Sequence, residues 1–298
     1  MRAVWALVLL GACARANARL PDGEQQPDAT GPAADAAAGE VDAGAPPDSA
    51  PQPPPGGGGG ATQLLLTEIA LAPTGGEFVE IANPTNQAVD LATFYLADNG
   101  KYFQLPAGTV AIDTNDWIVR FPAGASIPAH GVVTVATDSA ANFMTTYGMP
   151  PTYAIVGGTL TTVAINGVAT LTNAGEIVVL FQWDGQSDLV HDVDMMIAGV
   201  PTAANGLIDK SGMALDGPDA GATTTAYAAD AHALAAQPTA AASGKSTKRI
   251  ALETGHETQS GTGNGAGGDD ETSENTAVTW DTAYTAPTPG AVPTVLLP

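Results

Sequence analysis

Cysteine occurs once in 298 residues, at position 13. No intrachain disulfide can form, so stability must come from packing or association. Aromatic residues make up 5 % of the chain, too few for a large aromatic core. Glycine and proline number 35 and 23, which favours turns over long helices. Basic residues are scarce too, 9 against 31 acidic, for a formal net charge of −22. Such a field repels phosphate and excludes nucleic acid as a partner. After residue 61 the counts are 6 and 24, a balance of −18. The one basic cluster there, Lys245, Lys248 and Arg249, reads as a polar strand face.

What is present begins at the N-terminus. Met1-Arg2 is a short basic segment and Ala3 to Leu10, "AVWALVLL", an apolar one. This is the layout of a secretory signal, too short for the ~20 residues of a membrane span. Leu10-Gly11-Ala12-Cys13 resembles the bacterial lipobox, in which cleavage before the cysteine precedes its lipidation. Each buried methylene is worth about 0.8 kcal/mol, and two or more acyl chains give stable anchoring. The rival reading is an ordinary signal cut near "ARA", with an incidental cysteine. By the resemblance, Ala14 after the cysteine implies export to the outer membrane, with the protein facing periplasm or cell surface.

Residues 14–61 have almost no large apolar side chains and end in three prolines and five glycines. Such a segment cannot bury enough surface to offset its ordering entropy, so a disordered tether is expected. Fully extended it would reach on the order of 150 Å. The expected organisation is a signal peptide over 1–12, a lipidated cysteine and linker over 13–61, and a folded domain over 62–298.

From Thr62 the pattern changes to short runs of Val, Ile, Thr and aromatics between Gly, Pro, Asn and Asp clusters. This predicts strands at 63–71, 77–83, 89–98, 101–105, 116–121, 131–138, 167–171, 176–183 and 187–196. Asn83-Pro84-Thr85-Asn86 reads as a type I turn. Asp138 can N-cap one helix, with Phe143, Met144 and Tyr147 on one stripe and Gly148 ending it; a second, alanine-rich helix is placed near 227–237. The fold class is all-β, an antiparallel sandwich with inserted loops and one or two short helices, preceded by the tether.

"LLLTEIA" (64–70), "GEFVEIANPTNQAVDLATFYLAD" (76–98), "SIPAHGVVTVATD" (126–138) and "ATLTNAGEIVVLF" (169–181) together resemble the lamin-tail domain, an immunoglobulin-like sandwich. "GKSTKRI" (244–250) and "TPGAVP" (288–293) resemble the usual end of bacterial copies. Thr93 and His130 depart from the pattern at positions where the family often has glycine. The resemblance implies a binding or scaffolding module rather than chemistry.

Glu68 and Glu80 can be offered as a glycosidase pair, which needs ~5–10 Å between carboxyl groups in a cleft; the resemblance makes them strand residues. In His191-Asp192-Val193-Asp194, strand alternation separates the histidine from both aspartates, so a solvated strand face is expected. No cofactor is firmly implied. Calcium is the one ion for which ligands cluster, at "DGQSD" (184–188), "DGPDAG" (216–221) and "GGDDETSEN" (267–275). The last is the preferred site, with Asp269, Asp270, Glu271 and Glu274 as ligands; solvated acidic loops are the alternative.

The expected protein is therefore a non-catalytic envelope lipoprotein. Lipid on Cys13 would join it to the membrane, and the sandwich would bind an envelope or extracellular protein or glycan. The first alternative is an extracytoplasmic hydrolase with its site in insertions at 138–165 or 199–275. The second is a coat protein that self-associates through sheet edges.

Overall fold

The computed structural model describes residues 63–173, 175–199, 208–228, 244–252, 264–265, 271–281 and 283–296. Two five-stranded sheets face each other. The first holds β1 (Leu65–Ala70), β2 (Phe78–Ala82), β7 (Val132–Ala136), β8 (Tyr153–Ala154) and β14 (Thr247–Lys248) in the order β14-β1-β2-β7-β8. The second holds β4 (Phe94–Ala97), β5 (Trp117–Arg120), β9 (Thr161–Ile165), β10 (Gly175–Gln182) and β11 (His191–Gly199) in the order β11-β10-β4-β5-β9. Pairing is antiparallel except between β7 and β8. Two short ribbons pair β3 (Val89–Asp90) with β6 (Ser126–Ile127), and β12 (Ala214–Leu215) with β13 (Thr225–Ala226).

Period-two alternation explains the core. Leu96, Val119, Val178 and Leu180 point inward to meet Leu66, Val79, Ile81 and Val135 of the first sheet. Their strand neighbours Tyr95, Ile118, Val179 and Phe181 point outward and are buried too. Ile208, Leu215, Tyr227 and a 3-10 helix at Tyr102–Ala107 cover that outer face. Each large apolar side chain buried this way contributes roughly 1.5–3 kcal/mol. Among the described residues the second sheet is therefore covered on both faces.

The helix α1 (Ala140–Tyr147) is capped by Ser139, one residue later than expected: its side chain accepts from Asn142 N, while Asp138 accepts from the Asn142 amide group at 2.7 Å. Gly148 ends it in the left-handed conformation. Phe143 packs edge-on against Phe78, whereas Met144 faces solvent. Residues 101–105 are not a strand. The Asn99 side chain accepts from Lys101 N, the chain coils into the 3-10 turn, and left-handed Gly108 closes it. Nor are 167–171 a strand; the fifth strand of that sheet is β9, whose Ile165 pairs with Trp117. Leu171 N instead bonds the Glu77 carboxylate at 2.9 Å. His130 holds φ 56°, a left-handed turn that glycine adopts without strain. Of the helix expected near 227–237, residues 229–237 lie outside the described residues.

Candidate functional site

Cys13, Asp269 and Asp270 lie outside the described residues. Glu271 and Glu274 are described, and neither stands in a solvated loop: both are buried. Arg249, just after β14, reaches Glu274. Its Nη2 donates to both oxygens of Asp194 at 2.7 and 2.8 Å, its Nη1 to Glu274 at 3.4 Å, and its Nε to Leu66 O at 2.7 Å. The guanidinium lies 5.0 Å from the centre of the Trp280 ring, and Thr279 also donates to Glu274. Gln63 donates to Glu271 at 3.2 Å. Burial first, then the neighbouring Asp194 and Glu274, hold Glu271 well above the usual carboxylate range, which favours its neutral form. Around Glu274, then, the nearest positive charge is the protein's own guanidinium. The basic cluster is also not one face: Arg249 is interior, while Lys248 emerges beside it and donates to Thr285 and Ala286 O.

The expected solvated face at 191–194 is likewise interior. A bulge makes Leu180 pair with Asp194 and Phe181 with Asp192, so Val193 is the extra residue. The bulge sends the two aspartates to opposite faces. Asp194 turns inward to Arg249 and Leu66 N. Asp192 turns outward, accepts from the Tyr102 hydroxyl at 2.6 Å, and pairs with the fully buried Lys210. Burial lowers the His191 imidazole's affinity for a proton, although Asp192 opposes this. Sequence reasoning did not single out Lys210, Arg249's interior role or Trp280. The available signal was the unusual pair of aspartates in an apolar strand, which demands cations from elsewhere.

Glu68 and Glu80 do sit together, directly opposite each other across β1 and β2. Both are buried under the C-terminal segment. Glu68 accepts from Thr288 N at 2.8 Å, from the Thr288 hydroxyl at 3.0 Å and from Ser246. Glu80 accepts from Gly290 N at 2.6 Å and from Thr67 at 3.0 Å. Burial pushes Glu80 up to about 7. Every carboxylate oxygen is engaged by the protein, so the pair fastens residues 288–290 and presents no face to a substrate.

A third acidic group lies at one end of the second sheet. Asp98 follows β4, Asp116 precedes β5, and Glu176 stands in β10; these strands are neighbours, so the three carboxyl groups converge. Burial pushes Glu176 up to about 8, against the opposing hydrogen bonds of Thr172 N and Ile177 N. Burial, then Glu176 and Asp116, raise Asp98 well above its ordinary value. Glu77, also buried and raised, contributes to the same field.

Two of the three calcium-type segments meet in space. Carboxylate oxygens of Asp188, Asp216 and Asp219 lie within 4.8 Å of one another. Asp188 accepts from Gly217 N and the Thr225 hydroxyl, both at 2.6 Å, and Asp219 from Gly221 N at 2.7 Å. These bonds seat the 216–221 loop on the 184–188 turn. The loop lies close enough that a Cβ on Gly217 would come within 2.6 Å of Gln186 O.

The opposite flank contains a long uncharged stretch. From Ser139 to Gly175 there is no acidic, basic or histidine residue. This stretch includes α1, β8 and β9, so it supplies the last strand of each sheet. Tyr153 of β8 packs edge-on against Phe121 at the end of β5, which places both outer strands on one side of the sandwich.

A comparison with curated proteins finds no match to the chain. Against family models, residues 59–196 match the lamin tail domain. The matched stretch starts just before β1 and ends inside β11, and it contains nine of the ten strands of the two sheets at least in part, β14 being the exception. Its two facing antiparallel sheets, the glutamates of β1 and β2, and the turn at Asn83, whose side chain accepts from Thr85 N at 3.0 Å, are where the resemblance places them. Residues 59–196, somewhat under half of the chain, thus match the lamin tail domain, a family of immunoglobulin-like β-sandwiches that is non-enzymatic and points to binding or scaffolding.

Proposed function

We propose that this protein is a non-catalytic, membrane-anchored lipoprotein of a bacterial envelope. Its lamin tail domain is displayed on a 48-residue spacer, 14–61, to bind another envelope or extracellular component. The single observation that carries the reading is the order of the parts: Leu10-Gly11-Ala12-Cys13, then the Pro- and Gly-rich segment, then the domain. A lipid at the near end of such a spacer would hold the sandwich clear of the bilayer while leaving it free to search.

The hydrolase alternative receives less support. Its first proposed insertion, 138–165, holds one carboxylate, Asp138, which accepts from Ser139 N and the Asn142 amide group at the start of α1, and no imidazole, amine, guanidine or thiol. General acid–base or nucleophilic work by the absent groups would have to come from elsewhere. The Glu68–Glu80 pair is covered. The test is to express full-length protein in a bacterial host with radiolabelled fatty acid, beside Cys13→Ala. Label and membrane partitioning in the wild type alone are the expected result. No label on either form, with neither partitioning into membrane, would reduce the cysteine to coincidence and make the protein a freely secreted one.

A further inference from the structure

We infer that the uncharged flank is a self-association surface through which a second copy of this chain pairs with the first, β9 against β9. Among the described residues eight large hydrophobic side chains are exposed, and six of them lie in the charge-free stretch: Met144, Met149, Val156, Val163, Ile165 and Val168. Val168 is 60 % exposed. Exposed apolar side chains concentrated in one uncharged stretch, three of them (Val163, Ile165 and Val168) in or just after β9, on a chain of net charge −22, mark a place for protein contact. β9 ends its sheet and, among the described residues, pairs with β5 alone. Its outer edge therefore carries backbone donors and acceptors with no strand beside them.

Natural edge strands are usually guarded by lysine, proline or inward charge. "TTVAI" has none of these. Its one guard is the bulge that makes Val163 the extra residue opposite Ile118 and Val119, which limits pairing to a few residues.

Charge chooses the occupant. Two copies of a strongly acidic molecule repel wherever acidic surfaces meet, and the stretch from Ser139 to Gly175 adds no carboxylate of its own to that cost, while the residue across from Thr161 is the cation Arg120. The strand is also complementary to itself. Paired antiparallel about Val163, Thr161 lies opposite Ile165 and Thr162 opposite Ala164, so no like charges face each other. A two-fold contact of this kind uses the same patch on both copies and closes as a dimer. It would join the five-stranded sheets of two molecules edge to edge. A short bulged strand sits at the small end of specific interfaces, which bury about 800 Å² per partner, so the dimer is a weak one in solution.

The test uses the full chain carrying Cys13→Ala, so that lipid cannot drive assembly, in sedimentation equilibrium. A reversible monomer–dimer equilibrium that tightens as salt screens the acidic repulsion is expected. Val163→Lys and Val163→Glu each place like charges face to face at the two-fold axis. Each should weaken dimerisation by at least about tenfold, ~1.4 kcal/mol. An equal mixture of the two variants should restore it as a heterodimer, a result that misfolding could not produce. Val278→Lys, at an exposed apolar position on α2 (Thr276–Thr279) outside the flank, should leave it unchanged. A strict monomer at every concentration and salt would overturn the inference. So would a dimer indifferent to both Val163 variants, or pairing only with an unrelated uncharged strand.

Discussion

The two sides of the sandwich solve opposite problems. On the side of β11 and β14, Arg249 and Lys210 are sunk among Asp192, Asp194, Glu271 and Glu274, each cation with a carboxylate in direct contact. On the side of β8 and β9, 37 consecutive residues carry no charge at all. Burying a charge is tolerable only when a partner is fixed in place, so the first side is specified by a few polar contacts drawn from distant parts of the chain. The second side needs no such partners, and its backbone edge and apolar side chains remain turned toward solvent. The lesson is that residues past the family match close one side: β14, Lys210, Arg249 and Trp280 all come after residue 196.

The contrast can be broken most forcefully at Arg249. Arg249→Ala removes the cation and leaves Asp194 and Glu274 facing each other without it, which should cost about 3–5 kcal/mol in denaturant unfolding. Arg249→Lys keeps the charge but loses the two-pronged contact with Asp194, and should fall between that variant and wild type. If Arg249→Ala costs less than about 1 kcal/mol, the buried network is not what holds that side together.

Acidity tests other buried carboxylates, which have no cation in contact. Glu176 and Glu80 have folded values near 8 and 7, above an ordinary value of 4.5. Folded protein therefore binds more protons than unfolded protein between those limits. Stability should then fall as pH rises through the window, by on the order of a few kcal/mol between about pH 5 and about pH 8. Thermal melts across that range should show the higher midpoint on the acidic side, and Glu176→Gln should flatten the slope. A midpoint that climbs with pH would mean these groups are ionised in the folded protein.

On the uncharged side the controlling factor should be backbone fit. A Cβ on Gly158 would fall 1.9 Å from Ala154 O, so Gly158→Ala should cost about 1–3 kcal/mol by displacing the turn between β8 and β9. The smallest effect belongs to Val163→Lys, which should shift folding stability by less than about 0.5 kcal/mol because the side chain is substantially exposed. Equal losses from Val163→Lys and Gly158→Ala would show that the flank is part of the core.

Much of the sandwich was legible because its strands carry an apolar signal strong enough to see in isolation. "FVEIA" and "EIVVLF" alternate or run apolar in lengths that suit strands, and β2 and β10 formed there. "KYFQL" misled because the same apolar residues serve a 3-10 turn when Asn99 and Gly108 bracket them. β9 was overlooked because "TTVAI" reads as polar and short, and its strand character comes from pairing with Trp117 to Arg120. Of the preferred calcium ligands, Glu271 and Glu274 turned out to be interior, since their donors Gln63 and Arg249 are brought in from 208 and 25 residues away.

By itself the sequence determined the class of fold, the excess of acidic residues, the exclusion of an intrachain disulfide and the order of signal-like segment, Pro- and Gly-rich segment and strand-patterned segment. Those properties follow from composition and local period, which act between neighbours along the chain. Tertiary structure alone decided which carboxylates would be buried and which would meet. A one-residue bulge at Val193 sent Asp192 and Asp194 to different faces, and a C-terminal segment 220 residues away from Glu68 closed over it. Charge burial depends on long-range geometry because only an assembled interior can hold a guanidinium or an ammonium within reach of a carboxylate that has lost its water.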